Sequence, residues 1–186
     1  MTQNKVKKEL LKKVSEIELE MFRLANSTIC SPSQEKIEKF NLMRRMHHSV
    51  WPLPIIESYL KDLTQGKTAG RNFIAEKFAQ LESRIPIIKE SLQLDEIVET
   101  ELSWMADVSE KYPTLFPPLD SAVAEYIQCE YAVLSDPTIN QIRDCVVTAK
   151  ATGLNMVEER YKNLCHDMGY ESIIAMEHAT QTEECV

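Results

Sequence analysis

Residues 3–27 read QNKVKKELLKKVSEIELEMFRLANS, and their pattern decides the fold. Val6, Leu10, Val14, Ile17, Met21 and Leu24 recur every three or four residues, the apolar stripe of one α-helix. Outward from it the helical period continues. Ser31-Pro32-Ser33-Gln34 carries a helix start, with Ser31 as N-cap, proline at the first helical position and glutamine in the capping-box place. That second helix should run to about Val50, where Trp51-Pro52-Leu53-Pro54 breaks it, because each proline removes a donor and restricts the residue before it.

Further helices are expected over 54–65, ended by Gly66, and over 71–84 after a Gly66–Gly70 loop. Pro86 marks another break. Residues 95–111 form the next helix, stopped by Pro113, and Pro113–Leu119 reads as an extended connection. Asp120 caps a helix over 121–134. Asp136-Pro137 opens a long one over 137–165 that Gly169 ends. A short helix at 171–178 leaves 179–186 as a polar tail. No repeat is visible and nothing alternates with strand period. The expectation is an all-α bundle of six to eight helices, one domain over 1–186.

Composition agrees. The 186 residues contain only four glycines and eight prolines, too few turn residues for a sheet-rich chain, and 44% apolar with 27% charged residues is ordinary globular usage. A formal charge of −8 with a pI near 5.1 argues against nucleic acid or an anionic membrane as the main partner. No run approaches the ~18 apolar residues of a membrane span. Lys5, Lys7, Lys8, Lys12 and Lys13 are followed by glutamates rather than by a signal-peptide core, and touch a membrane surface only in a minor reading. Five scattered cysteines without a C-x-x-C pair fit a cytoplasmic protein better than a disulfide scaffold.

Placing charged residues at ~100° per residue on their helices leaves several on apolar faces. Glu18 falls among Leu11, Val14, Met21 and Phe22, and Glu101 among Ile97, Val98, Met105 and Val108. Glu130 shares a face with Val123, Tyr126, Ile127, Val133 and Leu134. Arg44 follows Ile37 and Phe40, and Lys77 is framed by Phe73, Ile74, Phe78 and Leu81. Unpaired buried charges are costly, so three acids and two bases on five helices predict internal pairing, or a ligand. The plainer alternative is rim positions with packed stems and solvated heads.

Candidate chemistries thin out quickly. None of the four histidines follows a Glu by three residues, so no di-iron bundle pattern exists; a carboxylate-only Mg²⁺ site stays open, and neither a metal nor a cofactor is assigned. His47 and His48 follow Arg44 and are within reach of a site, though adjacent residues point about 100° apart. There is no Gly-x-Ser-x-Gly elbow and no phosphate loop. Gly70-Arg71-Asn72 at a helix start combines free N–H groups, a guanidinium and an amide, an anion-binding arrangement or a plain helix entry. Tyr59 and Asp62 lie one turn apart just before it, with Asp62 placed to orient Arg71.

These residues also form a spaced set: Glu18-x-Glu20-Met21-Phe22, Ser33-Gln34, Phe40-x-x-Met43-Arg44, Trp51, Ser58-Tyr59-Leu60-x-Asp62-Leu63, Gly70-Arg71-Asn72, Glu76-Lys77, Tyr112-Pro113, Tyr126 with Glu130, Asn155 and Gly169-Tyr170. The set resembles a bacterial, all-helical family of unknown function, domain-of-unknown-function family 4125, over nearly the whole chain. It departs from the family pattern where Ser33-Gln34 stands for Cys-Gln, and in a shortened stretch between Pro113 and Asp120. The resemblance implies a small helical domain, a loose link to nucleotidyltransferase-like proteins, and no activity.

The combined expectation is an internal polar pocket for a small anionic molecule. Arg44 and Arg71 would hold the anion; Trp51, Tyr59 and Tyr126 would wall the pocket; Glu18, Asp62, Asn72 and Glu101 would complete it. Glu130 is the general acid/base candidate, its pKa raised by burial, with Lys77 as partner pulling the other way. The rival expectation is a helical interaction module, accessory to a nucleotidyltransferase-like protein, whose inward charges are only structural.

Overall fold

The two longest apolar stripes become the two hubs of the molecule. In the computed structural model, which describes residues 3–26 and 32–183 with side chains to 181, the described residues are all-helical. The helices are α1 (Gln3–Asn26), α2 (Gln34–Ser49), α3 (Leu53–Thr68), α4 (Phe73–Leu81), α5 (Leu92–Lys111), α6 (Ala122–Ala132), α7 (Asp136–Ala151), α8 (Met156–Asp167) and α9 (Ile173–Glu183). α1 carries α2, α3 and α4 around it; α5 carries α6, α7 and α8. One apolar core runs through both groups, with Val14, Leu63, Leu94, Ile97 and Tyr131 fully out of water. Each such side chain contributes roughly 1.5–3 kcal/mol of burial.

Nine helices among the described residues, against six to eight expected, follow mainly from a break inside the expected 137–165 helix. Gly153 turns the chain at φ 73° and the Asn155 side chain caps α8 by accepting from Glu158 N–H, so α7 and α8 are separate. Gly66, expected to end α3, lies inside it instead. A Cβ there would stand 2.6 Å from the Phe73 ring, so the glycine serves a close helix contact rather than a stop. At α2 the cap is Ser33, whose hydroxyl accepts from Lys36 N–H; the expected Ser31 cap falls outside the described residues. α9 continues to Glu183, so residues 179–183 of the expected polar tail are helical.

The expectation of no repeat is overturned. Glu18 and Glu101, Pro54 and Pro137, Gly70 and Gly153, and Asn72 and Asn155 each stand 83 residues apart. At that interval α3 and α7 coincide end to end, and α1, α2 and α4 overlap α5, α6 and α8. Local structure repeats too. Gly70 and Gly153 share φ 73°. Asn72 and Asn155 each cap a helix and donate back to a hub, to Met21 O at 2.8 Å and to Trp104 O at 3.0 Å. Exchanging α1–α4 with α5–α8 maps the helix pairs onto one another: α2 on α8 becomes α6 on α4, and α3 on α7 maps to itself. The two halves are thus related by an approximate two-fold axis, the geometry of a dimer within one chain.

Candidate functional site

The five inward charges are all buried: Glu18, Arg44, Lys77, Glu101 and Glu130 are each at most 8% exposed. They form two networks, one around each hub glutamate, the first reaching across to Glu130 of the other half. On the first hub, Glu18 accepts from Arg44 Nε and Nη2, at 2.8 and 2.5 Å, from the Tyr59 hydroxyl at 2.6 Å, and contacts His48 Nε2 at 3.1 Å. Arg44 also reaches Glu130 on α6, and Glu130 is bound in turn by Lys77 of α4. On the second hub, Glu101 is held bidentately by Arg160, at 2.7 and 3.0 Å, and by the Tyr131 hydroxyl at 2.6 Å. Both Tyr131 and Arg160 escaped the sequence reading. The Arg160 signal was its place on α8, 83 residues after Lys77, visible once the repeat is known.

Electrostatics fix the charge states. Burial alone would raise the Glu18 carboxyl, but Arg44 and His48 outweigh it and hold the pKa at about 2. Burial is likewise overcome at Glu130, where Arg44 and Lys77 keep the carboxyl well below its ordinary range. The raised pKa expected for Glu130 is therefore reversed, and the Glu130 carboxylate in turn overcomes burial to hold Lys77 protonated. His47 goes the other way: burial, then the positive charge of Arg160, pushes it well below its ordinary value and keeps it neutral.

Arg71, Asn72 and Asp62 have other work. The Arg71 guanidinium is clamped by Glu76 at 3.0 and 2.6 Å, not oriented by Asp62, and so has no open fork for an anion. Asn72 is spent on its cap and on α1. Asp62 accepts from Ser135 N–H at 3.0 Å, at the start of α7. Trp51 packs against both His47 and His48 rather than walling an open pocket. Tyr126, half-exposed, lies with its ring under the Lys77 ammonium at 4.1 Å.

A cavity of about 140 Å³ opens between α2, α5, α6 and α8, lined by His47, Arg44, Glu101, Glu130, Tyr126 and Arg160 among others. Three methionines, Met43, Met46 and Met105, supply adaptable apolar wall. Two polar groups on this wall are buried without a hydrogen-bond partner: His47 Nε2, 3.8 Å from Glu130 Oε1, and Arg160 Nε. The repeat explains the space. Arg44 and Ile127 are equivalent positions; the Arg44 guanidinium fills the site beside Glu18, whereas Ile127 leaves the place beside Glu101 open. Among the described residues no group of three or more His, Cys, Asp or Glu is arranged to hold a metal ion.

The comparison with protein families bears on the whole of this architecture. Residues 8–178, which carry both networks and all of α2–α8, match the family described as Protein of unknown function (DUF4125). The chain belongs to that family. No curated protein and no solved structure matches it. The DUF4125 match spans both halves, so the duplicated arrangement lies within one family unit. No helix among the described residues of this DUF4125 chain is long and apolar enough to cross a membrane.

Proposed function

We propose that the cavity binds a small anionic molecule and that His47 takes up a proton as it binds. The observation carrying this reading is the pair of unpartnered groups on one cavity wall, His47 Nε2 and Arg160 Nε. Buried polar groups are nearly always satisfied, so two unpartnered groups on one cavity wall favour a ligand site. An acid fits both: its oxygen accepts from Arg160 Nε–H, and its charge is matched by protonated His47. The flanking carboxylates oppose an anion little, because Glu101 is neutralised by Arg160 and Glu130 by Arg44 and Lys77. A cavity of about 140 Å³ has room for a guest about the size of benzene.

In this reading Glu130 and Lys77 are fixed charges rather than the acid/base pair. His47 is the group placed to move a proton, and Glu130 stabilises the imidazolium that forms. Trp51 orients His47; Glu18 and Tyr59 hold Arg44 from behind. Arg71, Asp62 and Asn72 position helices and do not touch the guest. A cytoplasmic setting suits the free thiols of Cys129, Cys145 and Cys165. The rival role, an accessory module for a nucleotidyltransferase-like partner, leaves the two unpartnered groups unexplained.

The test is a thermal-shift titration with formate, acetate and propionate at pH 6.5, on the wild type and on Met43→Trp. Met43 is 41% exposed and lines the cavity, so tryptophan there obstructs the site without opening the core. At least one acid should raise the melting temperature of the wild type and not of the variant. No shift with any of them, or equal shifts in both proteins, contradicts the reading.

A further inference from the structure

A second opening lies on the other side of α2, where α1, α2 and α8 enclose a groove of about 640 Å³. α1 presents Lys7, Lys8 and Lys12 to it on one stripe, and Arg45 faces them from α2. Among the described residues Asp167 is the one acid lining it, 4.0 Å from Arg45. Four cations against one carboxylate is a local reversal of sign in a chain of net charge −8. Lys7 is drawn in to half-burial by donating to Ser49 O at 3.1 Å, which offsets the negative end of α2. Among the described residues Lys8 has no ion-pair partner and Lys12 only a long one, Glu16 at 3.9 Å, so both ammonium groups remain open to a ligand.

The other half shows what this place looks like when it is not a site. Positions 90, 91 and 95, equivalent to Lys7, Lys8 and Lys12, hold Glu, Ser and Asp. Glu90 and Ser91 precede α5 in non-helical chain, which Gln80 Oε1 fastens by accepting from Ile88 N–H at 2.8 Å, and Asp95 lies in the first turn of α5. The ring position differs too. Tyr131 satisfies its one polar atom on Glu101, whereas its equivalent, His48, bonds Glu18 through Nε2 and keeps Nδ1 buried with no partner. His48 is 1% exposed and forms part of the groove wall.

We propose that this groove binds a small soluble molecule bearing clustered phosphate groups. Lys8, Lys12 and Arg45 receive the phosphates, with Lys7 at the base. The Nδ1 of His48, its Nε2–H committed to the Glu18 carboxylate, is left as an acceptor for a hydroxyl of the ligand. Clustered ammonium groups bind polyanions through charge summed at short range, and a groove of about 640 Å³ lined from three helices, rather than one flat face, favours a compact molecule over a lipid surface. The site is separate from the cavity beside Glu101, and its test does not depend on the reading given for that cavity.

The probe is inorganic tripolyphosphate, titrated calorimetrically into the full chain at pH 7 and low salt. One equivalent should bind. Lys8→Glu with Lys12→Glu, both on exposed positions, should weaken binding at least about tenfold. Lys61→Glu with Lys150→Glu, which changes net charge equally on exposed parts of α3 and α7, should leave it within about twofold. Far-ultraviolet circular dichroism confirms that both double variants are folded. Absence of binding up to millimolar tripolyphosphate, or equal weakening by the two variants, overturns the proposal. So does a chain that sediments with phosphatidylglycerol vesicles while ignoring tripolyphosphate, which assigns the basic face to a membrane surface.

Discussion

Replacing Glu130 by glutamine removes the charge that compensates Lys77 and part of Arg44 in the interior. Breaking a buried pair from one side costs about 3–5 kcal/mol, so Glu130→Gln should lower urea stability by that amount. Pairing Glu130→Leu with Lys77→Met should recover most of the loss, because the apolar pair leaves no unmatched charge. A loss below about 1 kcal/mol in the single variant would show that the network is not dry.

pH acts on the same groups in two stages. His47 and His48 are held below the ordinary 6.5, so the unfolded chain binds more protons than the folded one as pH drops through that value. Stability contributed by the neutral imidazoles is full above pH 6.5 and is lost as pH falls toward their folded values. Glu18, at about 2 in the fold against an ordinary 4.5, contributes stability that is full above 4.5 and lost as pH falls toward 2. Urea midpoints from pH 8 to 2.5 should therefore decline in both windows. In His47→Gln the decline between pH 6.5 and 4.5 should shrink, and a profile unchanged by that variant would contradict the buried neutral state of His47.

At the scale of elements, the two halves should respond alike. Gly70→Ala and Gly153→Ala each force a side chain into φ 73° at the same step of the repeat, and each should cost about 1–2 kcal/mol. Nothing stands within 4 Å of either added Cβ, so the cost is backbone strain alone and the two values should match. Urea denaturation of the two single variants and of the double checks both the size and the additivity.

Helix existence was legible because stripes such as Val14, Ile17 and Met21 state their own period, and the inward charges were legible by the same geometry. The break at Gly153 was legible in principle, since Asn155 with Glu158 is a cap signature; the apolar stripe running through Val146, Ala149, Val157 and Leu164 concealed it. The duplication was not legible, because packing conserves apolar character rather than identity. Tyr59 faces Ile142 and His48 faces Tyr131 across the repeat, and only a few residues at turns, caps and hubs kept their type. Pairing partners were also beyond the sequence: burial of Glu101 could be read, but its choice of Arg160 over Arg44 depends on how α8 docks on α5.

At the scale of the whole molecule, one chain carries two versions of a half and packs them differently. In the first half Arg44 closes the space beside the hub glutamate; in the second the equivalent Ile127 leaves it open, with neutral His47 and Arg160 on its wall. On the proposed reading, proton uptake by His47 on binding would link this site to pH. Calorimetric titration of a bound acid in two buffers of different ionisation enthalpy should show uptake approaching one proton near pH 7, and none in His47→Gln.

The central claim, that the space beside Glu101 is a ligand site, is tested most directly by native mass spectrometry of the full chain purified gently from its natural host, alongside Met43→Trp prepared in the same way. A small added mass is expected on the wild type, released on denaturation and missing from the variant. Bare polypeptide mass for both proteins, or the same adduct on both, would contradict it.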